Sequence, residues 1–99
     1  MIIVDASVVI AATEPSDAFH DRAAQFLAET PPAELAIHPL TLAEVLVGGV
    51  RQNKGPALAE AITAVGITPP TTLPTPLHLA TVRVATGLKM PDAVVVATA

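Results

Sequence analysis

Three acidic residues stand out by where they fall. Asp5 closes the β-branched run Ile2-Ile3-Val4, Glu44 follows Leu40-Thr41-Leu42-Ala43, and Asp92 follows Met90-Pro91. Each comes after an extended or proline-bounded segment and at the first turn of a helical pattern. In open parallel sheets, ligands gather beyond the carboxyl ends of the strands, where helix N-termini also begin. Separations of 39 and 48 residues amount to one or two α/β units each, so the three carboxylates could meet at that edge. Carboxylates brought together repel one another unless a divalent cation neutralises them. Oxygen-only donors suit a hard ion, Mg²⁺ or Mn²⁺, which keeps waters and accepts phosphate oxygens. The chemistry open to such a site is hydrolysis of a phosphodiester by a metal-activated water.

A plainer reading stands beside it. Thr41 and Glu44 are spaced as a capping box, in which the Glu returns a hydrogen bond to the N-cap amide. Asp92, next to Pro91, is a favourable first-turn acid for a helix dipole. Asp5 could be an N-cap, a role worth about 1 kcal/mol. Against that, Asp5 follows a strand of buried type, where an unpaired carboxylate is costly. Ser7 either caps the helix after Asp5 or orients its carboxylate. Arg83 and Lys89 are the bases best placed for phosphate contacts, whereas Arg51 and Lys54 read as isolated surface charges. Asp17, Asp21, Glu29 and Glu60 read as solvated helix faces, and His20, His38 and His78 show no metal-ligand spacing.

The elements that must position these residues follow from pattern. Ile2–Val4 is a strand with no polar alternation, of the kind buried on both faces. Ser7–Ala12 is a short helix, and a second runs from Pro15-Ser16-Asp17 to Glu29. On it Phe19, Ala23, Phe26 and Leu27 share one face. Leu35–His38 is a strand closed by Pro39, and Thr41 opens a helix weakened by Gly48-Gly49. Pro56 starts Ala57–Val65 and Gly66 ends it; Ile67-Thr68 is a weak third strand. Leu77–Thr86 is helical with Gly87 as its C-cap, Leu88–Met90 is a linker, and Pro91-Asp92 begins a last helix over Ala93–Ala99. Strands alternating with pairs of helices predict an α/β fold with a parallel sheet, and nothing divides residues 1–99 into two domains.

Composition narrows the setting. The chain has 99 residues, 52% hydrophobic and 14% charged, which excludes a disordered polyampholyte. With two Phe and neither Tyr nor Trp, the core must be aliphatic, and single-strand binding on rows of aromatics is excluded. A formal charge of −4 is the wrong sign for a protein that coats DNA. Setting the three motif acids aside leaves six acids against five bases, so the rest of the chain is nearly neutral. The absence of Cys removes zinc ribbons, disulfides and thiol nucleophiles. No Gly-x-Ser-x-Gly elbow or phosphate-cradling Gly-rich loop occurs. Met1–Asp5 has no basic leader, and four prolines interrupt the uncharged run Ala61–Val82. The expected location is therefore cytoplasmic, without a membrane span.

Three segments together carry a family resemblance. Ile3-Val4-Asp5-Ala6-Ser7-Val8-Val9-Ile10-Ala11 resembles the opening of a PIN domain, especially of the VapC-type toxins of bacterial toxin–antitoxin pairs. Leu40–Val45 resembles that family's second motif, and Thr86–Ala93, continuing to Ala97-Thr98-Ala99, its third. The resemblance implies a three-layer fold and an Mg²⁺- or Mn²⁺-dependent endoribonuclease with Asp5, Glu44 and Asp92 as metal-binding acids. It also implies Ser7 in an Asp-x-Ser position, an RNA substrate, a cognate antitoxin and a homodimer. Family members carry a fourth acid on a strand beyond the helix that Asp92 opens. The chain stops at Ala99, so the expectation is a domain lacking its last strands, with Ile2–Val4 at a sheet edge. The alternative expectation is a catalytically incompetent PIN-like fragment that binds an antitoxin or another protein.

Overall fold

A computed structural model describes residues 1–99. In chain order the elements are β1 (Ile2–Ile3), α1 (Ala6–Thr13), α2 (His20–Glu29), a 3₁₀ turn (Pro32–Glu34) and β2 (Leu35–Ala36). They continue with α3 (Pro39–Arg51), α4 (Gly55–Val65), α5 (Pro76–Thr86) and α6 (Met90–Thr98). β1 and β2 pair in parallel, Ile2 opposite Leu35 and Ile3 opposite Ala36. Thr68 bridges Ala36 from the other side, so β2 is central and β1 lies at an edge. The architecture is the expected one: a mostly helical α/β fold around a short parallel sheet.

Each strand is shorter than its apolar run, but the ladder continues past it. Val4 N–H donates to the Ala36 carbonyl at 2.8 Å, and Ile37 N–H to the Thr68 carbonyl at 3.1 Å. Ile2–Val4 is not buried throughout, as its composition suggests, because an edge strand has one open side. Ile2 is exposed, Ile3 half-buried and Val4 buried.

Helix starts differ most from the sequence reading. α2 begins at His20, not near Pro15; the Phe19 amide instead donates to Asp17 Oδ1 at 2.8 Å, a local turn that competes with the helix. α3 begins at Pro39, two residues before the threonine expected to open it. Pro39 stands at the first helical position, where its missing N–H costs nothing. His38 is the cap: its Nδ1 accepts the Leu40 amide at 3.0 Å. Thr41 is therefore buried inside the first turn, and the capping box with Glu44 does not form. α6 likewise starts early, at Met90, taking in the end of the expected linker. The C-caps hold as read: Gly66 and Gly87 both adopt left-handed backbone, φ 93° and 70°.

The main core is aliphatic. Val4, Val9, Leu35, Ile37, Val45, Ile62 and Ile67, with Ala6, form one buried cluster joining the sheet to α1, α3 and α4. The shared face of α2 is only partly used: Ala23 is buried, but Phe19 is 63% and Phe26 38% exposed. The only aromatic rings thus line a groove between α1 and α2 and do not fill the core.

Candidate active site

Asp5 is half-buried at the end of β1 and occupies the N-cap position of α1 in extended backbone. Its side chain makes no capping bond; Oδ2 instead accepts the Ser7 hydroxyl at 3.1 Å. Ser7 thus orients the carboxylate and does not cap. Glu44 lies exposed in the second turn of α3, released from capping because His38 holds that end. Asp92 lies exposed in the first turn of α6, where the dipole favours an acid, but no side chain caps that helix. None of the three carboxylates ties off a helix terminus.

Two clefts meet at Glu44. One, about 220 Å³, is apolar and lies between α3 and α6, lined by Leu40, Thr41, Glu44, Met90, Pro91 and Val94. It brings Glu44 and the turn bearing Asp92 to a common opening. The other, about 600 Å³, is the more polar of the two, though Pro15, Val45, Ala57 and Leu58 also line it, and runs between the end of α1 and the α3–α4 hairpin. Ile10, Thr13, Glu14, Gly48, Gln52 and Lys54 line it with Glu44. Asp5 reaches the same end of the sheet by a different route. β1 runs parallel to β2, and the chain passes from β2 through His38 into α3.

No three acids or histidines surround a common point closely enough to enclose an ion. The donors suit a hard divalent cation in kind: three carboxylates, one held by a serine and none committed to a helix cap. Mg²⁺ needs only one or two carboxylates beside water and phosphate. Lys89 occupies the N-cap position of α6, close in sequence to Asp92, and Arg83 sits in the last turn of α5; both are exposed. Arg83 lines neither cleft at Glu44. Sequence reasoning missed Thr13, Glu14 and Gln52, and set Lys54 aside as an isolated base. Nothing in their spacing marks them, because only the packing of α1 on α3 brings them to one groove.

The PIN-domain family matches residues 2–99, and the chain belongs to that family. PIN domains are typically nucleases, which supports a hydrolase in general. No curated protein and no solved structure gives a significant match. No helix is long and apolar enough to cross a membrane.

Proposed function

We propose that residues 1–99 act as one PIN-type domain that hydrolyses RNA phosphodiesters, as the VapC-type toxins of toxin–antitoxin pairs do. The observation that carries this reading is the freedom of the three carboxylates. Asp5 stands at the N-cap position of α1, Asp92 in the first turn of α6 and Glu44 in the second turn of α3, and none of them makes a side-chain capping bond. In this proposal they hold Mg²⁺ or Mn²⁺, which when bound supplies an activated water and charge neutralisation at the phosphate. Ser7 fixes the rotamer of Asp5 through the 3.1 Å bond to Oδ2. Lys89 places a positive charge at the positive end of the α6 dipole, a placement that favours a phosphate partner over helix stability. Arg83 is a phosphate contact only for a strand that extends across α5. A cognate antitoxin, a second copy of the chain and a cytoplasmic location belong to the same reading.

The test is thermal unfolding with and without Mn²⁺, paired with cleavage of a labelled RNA. Wild type should gain stability with Mn²⁺ and cleave; Asp5→Asn and Asp92→Asn should lose both. Loss of activity should exceed the roughly 10–100-fold typical of removing a group that merely supports a metal ligand. Identical melting of all three proteins with and without Mn²⁺ rejects the metal site. A second reading rests on the absence of three donors around one point: a PIN-like module that binds a protein partner without cutting. Mn²⁺ stabilisation with no cleavage of any RNA supports that one.

A further inference from the structure

Gly48 has no structural reason to be glycine. It lies inside α3, where glycine costs about 1 kcal/mol relative to alanine. The other four glycines are accounted for. A Cβ on Gly49 would meet Leu58 Cδ2 at 3.0 Å and one on Gly55 would meet Val50 Cγ2 at 2.9 Å, while Gly66 and Gly87 have positive φ. At Gly48 the backbone is helical, and an added Cβ would meet nothing within 4 Å. Neither packing nor backbone conformation therefore calls for a missing side chain there.

What does surround Gly48 is the polar groove. It is one helical turn beyond Glu44 and so on the same face of α3, with Gln52 one turn further. Thr13 and Glu14 form the opposite wall and Lys54 stands at the α4 end. The volume of about 600 Å³ is within the range of ordinary ligand sites, about 300–1,000 Å³. Glu14, Gln52 and Thr13 offer oxygens that accept hydrogen bonds, and Lys54 offers one cation. Glu14 and Glu44 are acidic against that one lysine, so the groove favours a ribose strand through 2′-hydroxyls that donate to these oxygens, which DNA lacks, and takes a phosphate only at the Lys54 end.

We propose that the strand of an RNA substrate leaves Glu44 along this groove, passing over Gly48 towards Lys54, with Gly48 as the clearance that admits it. The proposal rests on the nuclease reading and names where the strand runs. A side chain at position 48 would stand in the strand's path while leaving the fold intact. Stability and binding should then move in opposite directions, which a purely structural glycine would not produce.

The experiment compares wild type, Gly48→Ala, Gly48→Leu, Lys54→Gln and the control Val47→Leu, an exposed position of α3 outside the groove. Each is melted, assayed for RNA cleavage, and titrated into a fluorescent single-stranded RNA and its DNA counterpart. Gly48→Ala should raise Tm by about 4–8 °C. Gly48→Leu should weaken RNA affinity roughly tenfold or more, as filling occupied space does. Lys54→Gln should lower the salt dependence of binding by about one phosphate contact. Val47→Leu should bind as wild type, and RNA should bind more tightly than DNA. If wild type cleaves RNA and both Gly48 variants bind and cleave like it, the groove proposal is overturned and the nuclease reading stands. If wild type neither binds nor cleaves RNA, the nuclease reading falls and the groove proposal with it. Should Gly48→Leu fail to fold, Gly48→Ala and Lys54→Gln still decide the question: unchanged affinity and salt dependence in both overturn it.

Discussion

Every residue of the main buried cluster lies within the first 67 positions, whereas α5 buries none of its residues and α6 only two. The first region is held by a sheet and three helices closing on Ile37, which is fully buried. The α5–α6 hairpin is held through Ala93 and Val94, at 0% and 1% exposure, with α6 packed on α3 and α5 outside it. Leu77 and Val84 on α5 stay 77% and 84% exposed. The two regions share the candidate site unequally. Asp5 and Glu44 ride on the core, and Asp92 rides on the hairpin. Completing the site therefore depends on one helix–helix contact, the seat of α6 against α3.

That contrast is open to direct attack. The largest effect should come from Ile37→Ala, which creates a cavity in the core and should cost about 2–5 kcal/mol in urea unfolding. For a domain whose whole stability is about 5–15 kcal/mol, this approaches global unfolding. Val94→Ala should cost less, ~2 kcal/mol, yet reduce RNA cleavage more than its stability loss explains, because it loosens the seat of Asp92. Equal losses of stability in the two variants, with cleavage tracking stability in both, would show that the halves form a single cooperative unit.

A smaller effect tests how α3 aims Glu44. His38→Ala should cost about 1 kcal/mol by removing the acceptor for the Leu40 amide, and His38→Asn, which keeps an acceptor, should restore most of it. If asparagine is no better than alanine, the imidazole is there for packing alone. Smallest of all, Leu77→Ser should change stability by no more than about 0.5 kcal/mol, as for a surface position. A marked drop in Tm would mean that this face of α5 is covered in solution.

Legibility followed the range of the forces involved. The C-caps at Gly66 and Gly87, the order of strands and helices, and the placing of Asp5 and Asp92 at helix starts rest on local pattern, and the structure shows each; Glu44 falls one turn further into α3 than read. The start of α3 differs from its local pattern for a local reason. Thr41 with Glu44 is a good capping pattern, but Pro39 preceded by a histidine acceptor is a workable start two residues earlier, and tertiary burial of Thr41 decides for it. The exposure of the phenylalanines is set by a non-local one. Helical spacing says which residues share a face, not whether another element covers that face, and nothing covers Phe19. The polar groove could not be read at all, since its walls come from residues more than thirty apart in the chain, such as Thr13 and Gln52.

The amino-acid order alone determined an aliphatic, cysteine-free α/β chain with two carboxylates at helix starts and a third one turn inside a helix pattern, because propensity, capping chemistry and hydrophobic period act within a few residues. Only the tertiary structure decided which of those carboxylates are free, that two clefts meet at Glu44, and that Asp92 is carried by the less deeply packed half. Those outcomes depend on which helix packs against which, and burial is settled by contacts between distant segments that no local pattern contains.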